Sequence, residues 1–483
     1  MLKLAVQSFI WRFLGEIVFF LVQLITMMIL SRILTPKDFG ISVSVTIVYS
    51  FFALFSDAGV KNIVIQRSDS NSEDLAKIYG FSLTMGAVIT AIMFVLSPAA
   101  VLVFADSDIV YAVMATSVAM MFMSSTRVTS GALEKRFKYG KTMLASIVAA
   151  IASGVVAVVM AYCGCGYWSL VFLFIVKSAI EALILSVFSG LWVPHFDFAY
   201  MRALTKFGSQ ITVHNVAHYF SGVAEKIMIS RFDGVAALGI YSRSYTLFNV
   251  YAQMFPTIVA QILNSVYGKD YKRSPKENAD IFYWILKYIF IIGGSGMAVV
   301  GVWAEEITLL VWGNQWGEAA PMLRVLAFSA IAFSQIVFGR VIFVSFGAEN
   351  TLYKFSFGLL ALIVGMCFAG SFTGGLYGIV VGYSIAFWAG TVVMGIILST
   401  SIFKNTSGKY FSTLFKGIFA SAVSGVVVAV LKAAGFGGGI IWEVVWIAVS
   451  FAAVVPICLA YVFFFERSDI LKAKVEFKKL LGK

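Results

Sequence analysis

Ionisable and amide side chains lie inside several long apolar stretches of this sequence. The first stretch, 8–30, contains Arg12, Glu16 and Gln23. Arg12 and Glu16 are one helical turn apart and Gln23 follows seven residues after Glu16, so a helix would carry all three on one face. Such a stripe is typical of a polar cavity wall where an arginine attracts a phosphate group. It is equally typical of an i,i+4 ion pair that lets a helix enter the membrane.

A second polar stripe lies in the apolar stretch 207–229. His214 and Glu225 are eleven residues apart, about three helical turns, and His218 lies near the middle of the stretch. Because histidine titrates in the physiological range, this stripe is suited to proton binding and release during transport. The alternative is hydrogen bonding between helices by buried imidazoles. Lys226 is expected to point away from Glu225 and to extend outward.

Two further apolar stretches carry polar groups. In 240–262 these are Arg243, Asn249 and Gln253, which give the predicted helix a polar side and are candidates for contact with a ligand. In 167–189, Lys177 and Glu181 are spaced as an i,i+4 ion pair, and Lys177 is a further candidate for the cavity. If the protein binds Na⁺ instead of a proton, the predicted ligand of the cation is Glu225 or Asp57.

Composition determines the class of protein. The chain has 483 residues, 60% of them hydrophobic and 12% charged, whereas a soluble domain is about a quarter charged. It is therefore predicted to be an all-α polytopic membrane protein. Metal-ligand spacings, a P-loop and a nucleophile elbow are not recognisable, so we predict neither catalytic residues nor a metal or other cofactor.

Apolar segments long enough to cross a bilayer occur fourteen times, and twelve to fourteen transmembrane helices is the predicted range. The segments are 8–30, 39–59, 79–104, 109–126, 142–162, 167–189, 207–229, 240–262, 281–303, 321–346, 352–370, 376–399, 412–433 and 441–465. The segments are long and do not alternate between apolar and polar residues, which indicates helices rather than barrel strands.

The connections between these segments differ in charge. One alternate set carries most of the lysines and arginines, for example Lys135, Arg136 and Lys138, and the other contains the acidic pairs Asp106/Asp108 and Glu305/Glu306. The positive-inside rule places the basic set and both termini in the cytoplasm. The net charge of +12 reflects this topology and attraction to anionic lipids, so a nucleic-acid partner is not expected.

The start of the chain recurs near its middle. Ser31-Arg32 is followed by Phe39-Gly40-Ile41, and Ser230-Arg231 is followed at the same spacing by Leu238-Gly239-Ile240. The repeat predicts two pseudo-symmetric six-helix lobes in the same orientation, followed by two C-terminal helices. The predicted boundaries are 1–190 for the first lobe, 191–206 for a cytoplasmic linker, 207–400 for the second lobe, and 401–483 for the extra helices and a basic tail.

Loop motifs in the first third of the chain resemble a known family. They are SRILTPKDFG at 31–40, FSDAGV at 55–60, IQR at 65–67 and LEKRFKY at 133–139. The chain resembles bacterial oligosaccharide flippases and polysaccharide exporters of Wzx type, with the colanic-acid-exporter branch the nearest. These belong to the multidrug/oligosaccharidyl-lipid/polysaccharide exporter superfamily.

The resemblance implies two six-helix lobes in a V and a transport function. The expected activity is that of a flippase in the bacterial inner membrane. It would move undecaprenyl-diphosphate-linked oligosaccharide units to the outer leaflet by alternating access, for O-antigen, capsule or exopolysaccharide synthesis, and proton coupling would make it an antiporter. Expected partners are this lipid-linked substrate, membrane lipids and other polysaccharide-assembly proteins such as a glycan polymerase. The alternatives are a cation-coupled multidrug or lipid II exporter of the same fold, and a membrane glycan polymerase or ligase.

Overall fold

The computed structural model describes residues 2–57, 60–66, 72–191, 193–197, 219–269, 275–434 and 439–465. The regular secondary structure of these residues is helical. Long apolar segments form helices because a bilayer offers the backbone no hydrogen-bond partners, so each segment must satisfy its own N–H and C=O groups. The predicted all-α polytopic fold is confirmed.

The part of the chain that the structure describes before residue 190 contains eight α-helices. They are α1 (Leu2–Ile33), α2 (Pro36–Asp57), α3 (Val60–Gln66), α4 (Ser72–Leu96), α5 (Ala100–Phe104), α6 (Asp108–Lys135), α7 (Tyr139–Tyr162) and α8 (Trp168–Ser189). A 3-10 turn, Ser97–Ala99, joins α4 to α5. Five of the first six predicted spans therefore correspond to one long helix each, the span 79–104 comprises α4, the 3-10 turn and α5, and α3 is a short addition.

Among the described residues, seven α-helices begin after Val223. They are α9 (Ala224–Lys269), α10 (Pro275–Val302), α11 (Ala304–Trp312), α12 (Ala319–Ser345), α13 (Glu349–Ile397), α14 (Ser407–Ala434) and α15 (Gly439–Phe465). The backbone leaves helical geometry at Gly234 in α9 and at Gly374 and Gly375 in α13. Each of these two helices therefore consists of two successive segments.

Ten stretches of the described residues are apolar and long enough to cross a membrane. One of them, Glu349–Ile402, contains the glycine break of α13 and corresponds to two predicted spans. The predicted span 207–229 falls mostly on 198–218, which lie outside the described residues. These ten stretches indicate a multi-pass membrane protein.

The chain divides into two compact units. The first comprises Met1–Ser242 and Ser371–Ile379, and the second comprises Arg243–Gly370 and Val380–Lys483. In the first unit α7 packs on α1 and α8, and α6 packs on α2, α4 and α8. In the second unit α10 packs on α12, α14 and α15. The predicted lobe boundaries at 190 and 207 stay a prediction.

The repeated segments have the same local structure. α1 ends at Ile33 and α2 begins at Pro36, so the first break lies at Leu34 and Thr35. The break at Gly234 in α9 lies 199 positions after Thr35, which is the offset between the two sequence copies. In both copies the Ser-Arg pair belongs to the last turn of the preceding helix rather than to the connection, because the helix continues past it.

Candidate functional site

A cavity of about 200 Å³ with a mixed polar and apolar lining lies among α1, α2, α6 and α8 of the first unit. Two predicted site residues line it, Gln23 on α1 and Lys177 on α8. The other lining residues are Met27, Ser42, Val45, Thr46, Tyr49, Thr116, Leu170, Val171, Leu173 and Phe174. The structure thus brings together two polar residues that are 154 positions apart in the chain.

Lys177 is the cation of this cavity. Its ammonium nitrogen lies 4.6 Å from the centroid of the Phe19 ring, within the range of a cation–π contact. The predicted ion pair with Glu181 is wrong, because no such pair forms between these two described side chains. Oε1 of Glu181 instead accepts a hydrogen bond of 2.6 Å from Ser146 on α7. Glu181 therefore bonds to α7, while Lys177 lines the cavity and interacts with Glu181 only through the longer-range electrostatic field.

The remaining polar groups of the cavity are hydroxyl and amide side chains. The Thr46 and Thr116 hydroxyls donate to the carbonyls of Ser42 and Ala112 in their own helices, each at 2.8 Å, and keep acceptor capacity. The Tyr49 ring packs edge-on against Phe174 at 4.5 Å. The amide of Gln23 forms no hydrogen bond with a described residue, so it can both donate to and accept from a ligand.

The four cavity residues of α2 were missed by the sequence reasoning. Ser42, Val45, Thr46 and Tyr49 are spaced i, i+3, i+4 and i+7, which places them on one helical face. Hydroxyl side chains are common throughout these spans, since they satisfy themselves on the preceding turn, so this stripe did not stand out. A search for hydroxyl groups at helical spacing could have found it.

Glu225 lies in a second polar cluster of the same unit. Its side chain is fully buried, and its Oε1 lies 3.1 Å from Nζ of Lys226 and 3.4 Å from the Tyr241 hydroxyl, which donates to it. The expectation that Lys226 points outward is wrong. Its ammonium group also donates to the carbonyl of Gly222, one turn earlier, because helical side chains lean toward the N-terminus.

Arg243 is buried beneath two tryptophans of the second unit. Its guanidinium carbon lies 4.8 Å from the Trp312 ring centroid and 5.7 Å from that of Trp316, and both tryptophans are fully buried. This stacking gives the arginine a packing role in the conformation described. The contact of Arg243 with a substrate stays a prediction, and it would require the tryptophans to move.

Of the remaining predicted site residues, the structure describes the side chains of Glu16 and Asn249, and neither lines the cavity. Glu16 is exposed on α1, and Asn249 is half-buried on α9. The side chains of Arg12, Asp57 and Gln253 lie outside the described part of the structure, and so do residues His214 and His218. The predicted stripe of His214, His218 and Glu225 is therefore described only at Glu225.

Residues 29–321 match the family of polysaccharide biosynthesis proteins, and the match covers more than half of the chain. The chain belongs to this family. It is 20% identical over 418 residues to the lipopolysaccharide biosynthesis protein WzxC of Escherichia coli (strain K12), a match that covers 85% of this chain and 84% of that protein. It is 24% identical over 325 residues to the succinoglycan biosynthesis transport protein ExoT of Rhizobium meliloti (strain 1021), covering 66% of this chain and 65% of that protein.

The fold is similar to that of a solved structure, the lipid II flippase MurJ in an inward closed conformation. The TM-score is 0.75 at 11% sequence identity, and the match covers 97% of this chain and 100% of that one. At this identity the similarity concerns the fold alone. The resemblance to polysaccharide exporters that the loop motifs indicated is confirmed by the family match and by the curated relatives.

Proposed function

We propose that this protein is a flippase for undecaprenyl-diphosphate-linked oligosaccharide units, moving them from the inner to the outer leaflet of the bacterial cytoplasmic membrane. The movement would occur by alternating access, without a catalytic step, and would supply the synthesis of a surface polysaccharide. Membership of the polysaccharide biosynthesis family supports this proposal. The observation that carries it is the positive charge of Lys177 in a cavity between apolar helices.

The cavity has a charge suited to a diphosphate. Two unit charges about 4 Å apart interact by about 4 kcal/mol at an effective dielectric constant of about 20. No described carboxylate lies within ion-pair distance of Lys177, and Glu181 interacts with it only at longer range, so a bound anion would be its nearest counter-charge. Gln23, Thr46 and Thr116 add hydrogen-bonding groups around it. We propose that these residues bind an anionic group of the substrate.

The volume of the cavity limits what it holds. A cavity of about 200 Å³ is smaller than the range of about 300–1,000 Å³ that is usual for whole small-molecule ligands. It fits one phosphate group or one sugar ring rather than a complete oligosaccharide unit. The lipid and the rest of the glycan would lie outside it, so this cavity would be the site for the charged head of the substrate.

Energy coupling is proposed to involve the buried cluster around Glu225. A carboxylate with Lys226 and Tyr241 around it exchanges a proton when its surroundings change from buried to open. His214 and His218 on the same helical stripe would take part. One elementary charge crossing a potential of 100 mV contributes about 2.3 kcal/mol, which is adequate for coupling. The alternative is Na⁺, with Glu225 or Asp57 as its ligand.

The proposal includes an orientation in the membrane and a division into two lobes. The basic connections and both termini would face the cytoplasm. The two lobes would comprise 1–190 and 207–400, joined by 191–206 and followed by 401–483. Glycan polymerases and other assembly proteins would receive the substrate at the outer leaflet. A multidrug or lipid II exporter of this fold remains the alternative within transport, and a polymerase or ligase the alternative outside it.

The experiment is a translocation assay with the full chain in vesicles that contain a fluorescent polyprenyl-diphosphate oligosaccharide. Lys177→Met should reduce the initial rate of translocation at least about tenfold, the effect of losing one charge-assisted contact, and Lys177→Arg should retain part of it. Lys141→Met is the matched control, because Lys141 also lies over an aromatic ring, Phe188 at 5.1 Å, but does not line the cavity. Equal rates for both methionine variants would remove the cavity from the proposal.

A further inference from the structure

The two repeated segments meet at a pair of glycines in the first unit. Gly40 lies in the second turn of α2, and Gly239 lies in the second turn of the α9 segment that begins after Gly234. A Cβ atom added to Gly40 would overlap the carbonyl group of Val235. A Cβ atom added to Gly239 would overlap the carbonyl group of Pro36 and lie 3.0 Å from the backbone nitrogen of Gly40. The two backbones therefore touch at this crossing.

The contact is symmetric with respect to the repeat. Gly239 lies 199 positions after Gly40, and Val235 lies 199 positions after Pro36. The first residue of each helical segment thus contacts the fifth residue of the other, which is the pattern of an interface across a two-fold axis. A local two-fold axis must therefore pass between Gly40 and Gly239. The sequence repeat is what identifies this crossing as a point on the axis.

The crossing depends on the shape of two backbones rather than on a strong bond. Close approach of glycine-containing helices is stabilised by dispersion and by weak Cα–H···O contacts. Both segments present their N-terminal ends, whose partial charges are both positive. An acidic residue lies beside each end, Asp38 in the first turn of α2 and Asp233 just before Val235. The contact therefore depends on close backbone approach, and no side-chain bond at the two glycines holds it.

We infer that the Gly40–Gly239 crossing is a gate that closes the transport path at this end of the molecule and must separate when the path opens there. The inference rests on the proposed alternating-access function. When two halves are related by an axis along the membrane normal, a path between them runs along that axis. A backbone contact on the axis therefore blocks the path. With the termini in the cytoplasm, this end faces the outer side of the membrane.

The first test measures access and needs no substrate. The native cysteines are replaced, and Thr46→Cys on the cavity face of α2 reports labelling by an impermeant maleimide from the side of the crossing. Because a Cβ atom cannot fit in the closed crossing, Gly40→Ala and Gly239→Ala should each raise the labelling rate about tenfold through a shift toward the open state. Gly296→Ala is the matched control, since a Cβ atom there would meet no atom within 4 Å, and it should leave the rate unchanged. Unchanged labelling in both crossing variants would overturn the inference.

The second test keeps the gate closed and leaves both glycines in place. Cysteines are introduced at Lys37 and Ala236, which are equivalent in the repeat and are the neighbours of the contact residues Pro36 and Val235. They are joined with a flexible reagent about 10–15 Å long, since only a few residues separate each cysteine from the backbone contact. Cross-linking should stop translocation, and cleavage of the reagent should restore it. Continued translocation by the cross-linked protein would overturn the inference. Absence of translocation before cross-linking would instead contradict the proposed function, while the labelling test would still decide the gate.

Discussion

The ammonium nitrogen of Lys226 lies 3.1 Å from Oε1 of the fully buried Glu225, its neighbour in the sequence. Adjacent residues on a helix normally point about 100° apart, and the long lysine side chain folds back across this angle. The result is a carboxylate whose counter-charge is supplied from within the chain. Any exchange of protons or cations at Glu225 must therefore take place beside a fixed ammonium group.

Removal of the ammonium group should destabilise the protein. Lys226→Met leaves the buried carboxylate without its charge partner, and removing one partner of a buried pair costs about 3–5 kcal/mol. Thermal unfolding of the purified protein in detergent should show a clear decrease in midpoint for Lys226→Met. Adding Glu225→Gln to this variant should recover most of the loss, since the uncompensated charge is then gone. A double variant that is as unstable as Lys226→Met alone would contradict the buried pair.

Substitution of Arg243 is expected to lower the stability of the protein, and any effect on transport should follow from that loss. Its guanidinium packs over Trp312 and Trp316 in a buried site, where a cation–π contact contributes about 2 kcal/mol or more. Arg243→Ala and Trp316→Ala should each lower the unfolding midpoint. The double variant should lose less than the two single losses combined, because both remove the same contact. Normal stability with abolished translocation in Arg243→Ala would instead support the direct contact with a diphosphate that the sequence suggested.

The polar stripe of His214, His218 and Glu225 in 207–229 is predicted to couple translocation to protons. Translocation in vesicles with an imposed pH gradient should respond to the gradient in the native chain. The response should be lost in Glu225→Gln and reduced in His214→Gln and His218→Gln, because each substitution removes a group that binds a proton at that position. The control is the same assay with a Na⁺ gradient at equal pH. A native response in all three variants would leave the stripe with a packing role.

Orientation can be tested without any substrate. A single cysteine at Asp106 or Thr373 should react with an impermeant thiol reagent added outside intact cells, and one at Lys138 or Lys272 should react only after the membrane is opened. The reason is the excess of basic residues in the connections that contain Lys138 and Lys272. The opposite labelling pattern would reverse the topology and would place the Gly40–Gly239 crossing on the cytoplasmic side.

The sequence by itself determined the class of protein, the family, and the positions of most of the long helices among the described residues. A bilayer requires long apolar helices whose backbone groups are satisfied within each segment, so these features are local and can be read from the chain. The repeat of Ser31–Gly40 at Ser230–Gly239 was visible for the same reason, and its helix breaks occur at equivalent positions.

Tertiary structure alone decided which polar groups meet. Lys177 lies over Phe19 rather than beside Glu181, since Ser146 on a neighbouring helix offers Glu181 a better partner. Trp312 at the end of α11 and Trp316 in the following turn cover Arg243, although they lie about seventy residues after it in the chain. Tertiary packing brings these residues together, and no sequence spacing indicates the contact. The backbone contact of Gly40 with the second repeat has the same origin. Contacts of this kind depend on how helices pack against one another, and a spacing rule describes only the faces of a single helix.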